Sequence, residues 1–148
     1  MSDTRTVEAT ASGRTRDKLE SSETDGAVNV RIANGPLVGP VLRRMVSIVL
    51  ARADWPLDGL DDAMLVCDAL SAHAPRHAQA GWLALSVKAD ENGAELCVGE
   101  LRQGGADDLL RDAALPVVGN VLEGIAEKVS VCAEPEGGSR LVLVLSAN

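Results

Sequence analysis

The chain has 148 residues and a formal net charge of −8, with no Phe, no Tyr and only Trp55 and Trp82 as aromatic side chains. A chain of this length can bury enough surface to fold as one domain without disulfides or metals, and its core must come from Leu, Val, Ile, Ala and Met. The acidic balance and the missing stacking aromatics argue against nucleic acid and anionic membrane as partners, because both need clustered Lys and Arg.

Residues 1–26 are rich in Ser, Thr, Asp, Glu, Arg and Gly and carry no apolar periodicity, so they are expected to form a flexible tail ahead of a domain over 27–148. No apolar run approaches the ~18 residues of a membrane span and the N-terminus is polar, so the expected compartment is the cytoplasm. An alternating Val28, Val30, Ile32 segment predicts a strand at or near a sheet edge, closed by Asn34-Gly35-Pro36. From about Leu37 to Ala53, Val38, Val41, Leu42, Met45, Val49 and Leu50 recur at helical spacing, with Arg43, Arg44 and Ser47 largely on the other side. A second helix is expected from Leu57 or Asp58 to the region of Pro75. Asp58, Asp61 and Asp62 complement its positive end, and Pro75 must kink or stop it.

Leu83, Leu85 and Val87 alternate, as do Leu96 and Val98, and Asp90-Glu91-Asn92-Gly93 between them is a hairpin turn. A loop is expected around Gln103-Gly104-Gly105. The pattern Leu115, Val118, Val121, Leu122, Ile125 and Ala126 then predicts a third helix. Val129–Ala133 and Leu141–Leu145 read as closing strands joined by Glu134-Pro135-Glu136-Gly137-Gly138-Ser139. The order β-α-α-β-β-α-β-β implies an α+β two-layer sandwich, with helices on one face of a mixed, mostly antiparallel sheet.

Few residues invite a chemical assignment. Cys67, Cys97 and Cys132 are odd in number and widely spaced, which suits reduced, partly buried thiols. His73 and His77 are four apart and share a helical face if Pro75 allows it, but no third His exists to complete a zinc site. Asp61-Asp62 and Asp107-Asp108 read as solvated or helix-start carboxylates, and no nucleophile elbow surrounds Ser71 or Cys67. No catalytic residue and no metal ligand is therefore assigned.

The run from Ala69 to Ala78 resembles the helix motif Glu-Leu-x-x-Asn-Ala-x-x-His-Ala of the histidine-kinase-like ATPase (Bergerat) superfamily, in its anti-sigma-factor and serine-kinase branch. Leu70, Ala74, His77 and Ala78 match. The Glu that orients the nucleophile in that family is Ala69 here, and the magnesium-holding Asn is His73, whose imidazole nitrogen suits magnesium poorly. Asp68 points about 100° away from Ala69 on a helix. The family's Asp-x-Gly-x-Gly box corresponds to Glu100-Leu101-Arg102-Gln103-Gly104-Gly105, where Arg102 replaces a glycine. Its later glycine-rich stretch corresponds to Ala114–Asn120, with a single glycine. The final turn, Gly137-Gly138-Ser139, is similar to the family's Gly-x-Thr and is the remaining nucleotide-contact candidate, though such a hairpin needs no ligand to explain it.

The resemblance thus implies a Bergerat-type fold with a degenerate nucleotide site and no bound cofactor. It further implies an anti-sigma-factor-like protein that acts by binding a sigma factor or an anti-sigma-factor antagonist, with homodimerisation and partner contact through the first helix, Val38–Leu50. The alternative it leaves open is an active serine/threonine kinase using ATP and magnesium, with Asp68 and Glu100 substituting at altered geometry. A standalone structural protein sharing only the architecture is the third reading.

Overall fold

The computed structural model describes residues 27–115 and 119–147, so the tail expected over 1–26 lies outside the described residues. The first strand, β1 (Val28–Ala33), ends at Asn34-Gly35, and α1 (Val38–Arg52) follows. Val38, Leu42, Met45, Val46, Val49 and Leu50 of α1 are buried, the stripe of i, i+4, i+7, i+8, i+11 and i+12 that an amphipathic helix lays on a core. The helix stops because Asp54 adopts φ 58°. The Asp54 N–H donates to Ala51 O and the Trp55 N–H to Leu50 O, both at 3.1 Å, a closing pair usually built on glycine.

The second helix, α2 (Leu57–His73), buries Gly59, Ala63, Val66, Cys67 and Leu70. Gly59 is required by contact: a Cβ there would sit 2.9 Å from Trp55 Cε3. Pro75 has no N–H to continue the ladder, so the α-helix gives way to a 3-10 turn over Ala74–His77.

Strands β2 (Trp82–Ala89) and β3 (Gly93–Leu101) form the expected hairpin, its turn held by the Asp90 carboxylate accepting from the N–H groups of Asn92 and Gly93. The loop expected around Gln103-Gly104-Gly105 is a short turn at 103–104, and it leads into a helix not expected from sequence, Gly105–Asp112 (α3), which buries Gly105, Ala106 and Leu109. The expected third helix is correspondingly shorter. Ala114–Leu115 (β4) pairs with Gly119–Asn120 (β5), and α4 spans only Val121–Ile125. Asn120 sets that start: its side-chain oxygen accepts from the N–H of Leu122 and Glu123, while its amide donates to Leu110 O at 2.6 Å.

Strands β6 (Lys128–Ala133) and β7 (Ser139–Ser146) complete a five-stranded sheet of order β1-β2-β3-β7-β6. Every pairing in it is antiparallel, not mixed as expected from sequence, and β1 is an edge strand as expected. Leu83, Leu85, Val87, Leu96, Val98, Leu141, Leu143 and Leu145 are buried on one face, in one apolar cluster with the buried residues of α1 and α2. Each full burial of such a side chain stabilises by about 1.5–3 kcal/mol. Between Val98 and Leu101 the β3 register shifts, and this irregularity shapes the region where the sequence motifs converge.

Candidate functional site

At the shifted end of β3, Glu100 takes φ 62°, an uncommon conformation for a non-glycine residue. Its carboxylate accepts from Arg31 Nε at 2.6 Å and from Arg31 Nη2 at 3.0 Å. The Arg31 guanidinium also lies 4.7 Å from the Trp82 ring centroid. Glu100, which opens the stretch resembling the Asp-x-Gly-x-Gly box, is thus committed to a bidentate ion pair spanning β1 and β3. Beside it, Glu134 is partly buried; desolvation pushes its carboxyl above the ordinary range, offset in part by a hydrogen bond from the Glu100 backbone and by Arg140.

The turn after α2 is clamped to the same end of β3. Arg102 N–H donates to His77 O at 2.8 Å, Gln79 N–H donates to Glu100 O at 2.8 Å, and Ala78 bridges Leu101. The His77 side chain, only 6% exposed, sits between two charged groups: Nδ1 lies 3.0 Å from Arg102 Nη2, and Nε2 lies 2.6 Å from Asp112 Oδ2. A guanidinium only donates, so Nδ1 accepts, and the ring proton resides on Nε2 and is donated to Asp112. Arg102 Nη2 also donates to Asp108 Oδ2 at 2.6 Å, and Arg111 pairs with Asp108. Hydrogen bonds from Arg102 and then Arg111 hold the Asp108 carboxyl below its usual range, and the one from His77 does the same for Asp112. With both ring nitrogens engaged, His77 is a clip between the turn, the β3–α3 loop and α3. It is not poised as a base.

The other motif positions are also internally engaged. Ala69 packs against the core cluster. Asp68 accepts from Arg43 Nη1 at 2.5 Å, joining α2 to α1. His73 ends α2, so it does not share a continuous α-helix with His77, and its Nδ1 is a buried nitrogen without a hydrogen-bond partner. Among the described residues no group of three or more His, Cys, Asp or Glu could hold a metal ion. Burial raises the Cys67 thiol to about 12 and the Cys97 thiol to about 11, and all three cysteines are free.

Gly137, Gly138 and Ser139 each have a distinct local reason. Gly137 adopts φ 98° with open space around it. A Cβ on Gly138 would lie 2.6 Å from Leu101 O and 2.5 Å from Gln79 Oε1. The buried Ser139 hydroxyl donates to Arg102 O at 2.8 Å and accepts from the Ala106 N–H at 3.1 Å, which satisfies a donor in the first turn of α3. Sequence reasoning offered this turn as a nucleotide-contact candidate and read Asp108 as a solvated or helix-start carboxylate; it missed the clip that Asp108 and Asp112 complete. The available signal was the spacing of Ala106, Leu109 and Ala113, one buried helical face, with Asp108 and Asp112 four apart beside it.

A second feature lies on α1. Val28, Pro40, Val41, Arg44, Met45, Ile48 and Val49 line a groove of about 360 Å³ whose walls are almost wholly apolar. Ile48 is 48% exposed and, at the start of the helix, Leu37 is 63% exposed. Among the described residues no helix is long and apolar enough to cross a membrane.

No protein-family model matches the chain, and no curated protein matches it in sequence. Among solved structures, a chain in the crystal structure of the SiaB–SiaC complex from Pseudomonas aeruginosa is similar to it, with a TM-score of 0.56 over 90% of this chain and 99% of that chain at 11% identity. That likeness is one of fold: an α+β sandwich on an antiparallel sheet.

Proposed function

We propose that this chain is a regulatory protein that resembles an anti-sigma factor and acts by binding a protein partner, without ATP hydrolysis or kinase activity. The observation that carries the reading is the fold it shares with a chain crystallised in a complex of two proteins. The internal commitments of Ala69, Glu100 and Arg102 support it, because Ala69 stands where the resembled family has its nucleophile-orienting Glu, and Glu100 and Arg102 lie in the stretch that resembles its Asp-x-Gly-x-Gly box. The binding surface we assign is the apolar groove on α1, with Arg44 at its rim. The partner class is a sigma factor or an anti-sigma-factor antagonist, and the same face serves a homodimer. On this reading the cytoplasm is the compartment. The alternative is a serine/threonine kinase using ATP and magnesium, with the nucleotide contacting Gly137, Gly138 and Ser139.

Crosslinking and affinity capture of the full chain from its native cell extract, run beside an Ile48→Asp variant, tests the assignment. The expected result is a specific protein partner retained by the wild type and lost by the variant at unchanged helicity. Capture that is indifferent to Ile48→Asp removes the groove from the proposal. Calorimetric binding of magnesium ATP in the micromolar range replaces the binding-protein reading with the kinase one.

A further inference from the structure

We propose that the outer edge of β6 is a homodimer interface, paired antiparallel with the same strand of a second copy. β6 ends the sheet, with β7 on one side and no strand on the other. Glu134 N–H donates to Gly138 O at 2.9 Å, and the register runs unbroken from Lys128 opposite Val144 to Ala133 opposite Ser139. Antiparallel alternation therefore sends the backbone groups of Ser130 and Cys132 to β7 and those of Val129, Val131 and Ala133 outward. Such outward N–H and C=O groups are a template for another strand, and no proline or charge interrupts residues 129–133. On the helix-facing side of this edge, Val131 is 40% exposed although it pairs with buried Leu141.

Charge and register identify the occupant. The edge carries Lys128 at one end and Glu134 and Glu136 at the other. A second copy laid antiparallel about a two-fold axis at Val131 sets Lys128 of each copy against the acidic turn of the other. The Glu134 carboxylate already accepts from the Glu100 backbone, so exposed Glu136 beside it is the main partner of the incoming Lys128. In this register Val131 meets its own copy, Val129 meets Ala133 and Ser130 meets Cys132, with about six backbone hydrogen bonds across the axis. A slip of one residue puts the bonding groups out of phase. A slip of two either gives up the Lys128 contact or brings Pro135, which has no N–H to donate, opposite Val129. Surface ion pairs add little affinity, so the charges select partner and register while the ladder and the covered Val131 hold the pair. Val28 of the α1 groove is on β1, the opposite edge of the sheet, so this interface is separate from the groove and does not rest on the proposed function.

The test is sedimentation equilibrium of the full-length chain at about 50 μM, with and without Ile48→Asp to remove any contact through the α1 groove. The expected result is a dimer that survives Ile48→Asp. Adding Val131→Lys should weaken it about tenfold or more at unchanged circular dichroism, because two ammonium groups then meet at the axis. Oxidation of a Ser130→Cys variant with diamide reads the register: its thiol should join Cys132 of the second copy in a disulfide-linked dimer, and adding Cys132→Ser should abolish that species. A monomer at this concentration, a dimer lost in Ile48→Asp, a dimer indifferent to Val131→Lys, or a crosslink that does not need Cys132 overturns the edge pairing. If Val131→Lys fails to fold, exposed Lys128 replaces it: Lys128→Glu should weaken the dimer and added Glu136→Lys should restore it, and no change in either overturns the pairing. Failure to capture a protein partner through the groove leaves all of these readings unchanged.

Discussion

Gly138→Ala separates two reasons for a glycine, because Gly138 has no positive φ and open space is what it lacks. The new methyl would be 2.5 Å from Gln79 Oε1, which can swing away, and 2.6 Å from Leu101 O, which is backbone and cannot. Relief requires the β6–β7 hairpin to withdraw from the end of β3. That breaks the Leu101–Ser139 pairing and pulls the Ser139 hydroxyl off Arg102 O and Ala106 N–H. Overpacking costs about 1–3 kcal/mol and each lost hydrogen bond about 1 kcal/mol, so a net loss of about 2–4 kcal/mol is expected. For a folded region of this size that lowers Tm by roughly 8–15 °C. Thermal unfolding by circular dichroism measures it, with Gly124→Ala as the control: that position sits in α4 with nothing within 4 Å and should gain about 0.5–1 kcal/mol. A Gly138→Ala protein that melts with the wild type refutes the close-approach argument and reopens a ligand as the reason for the glycine.

Asp108 and Asp112 have carboxyls held below their usual range by Arg102 and His77, so their stabilising contribution is complete above about pH 4, the unfolded range, and is lost as pH falls through the lower folded values. Urea midpoints between pH 7 and pH 2.5 should show that acid limb, and Asp112→Asn should flatten it; a limb of unchanged steepness contradicts the pairing. Glu134 works the other way: its raised carboxyl favours the protonated fold, so its contribution falls as pH rises from about 4.5, and Glu134→Gln should remove that slope. The raised Cys67 and Cys97 thiols should resist a thiol-disulfide reagent at pH 7.5 in the native protein, Cys67 the more, and react promptly in denaturant. Rapid native labelling of Cys67 would count against its burial.

What could be read from sequence was what local periodicity encodes. The α1 stripe, the end of α2 at Pro75, the Asp90–Gly93 turn and the five strands of the sheet announce themselves within windows of a dozen residues. The helix at Gly105–Asp112 did not, because it opens on Gly104-Gly105 and its large buried side chains are few, Leu109 between Ala106 and Ala113. The helix expected over Leu115–Ala126 was cut back by Asn120, whose capping oxygen and bond to Leu110 O are a tertiary fact written as one polar residue. The β3 shift was equally hidden. Nothing in Gly99-Glu100-Leu101 signals that the chain will place a non-glycine residue at φ 62° and turn its carboxylate to Arg31, 69 positions away.

The residues that depart from the resembled nucleotide motifs also fit one another in the structure. Arg102 stands where a glycine would admit a ligand, and the same guanidinium supplies the donor that His77 Nδ1 needs and the partner that Asp108 needs. Replacing Arg102 by glycine alone would leave a nearly buried imidazole nitrogen without its donor and Asp108 with Arg111 alone. Glu100 is fixed by Arg31 and Asp68 by Arg43, so neither carboxylate is free to substitute for a missing family residue without first giving up an ion pair. The exposed apolar groove on α1 is the feature whose cost in water the fold itself leaves unexplained. That exposed face, set against a motif region whose polar groups pair with one another, is why the proposed partner site is put on the groove.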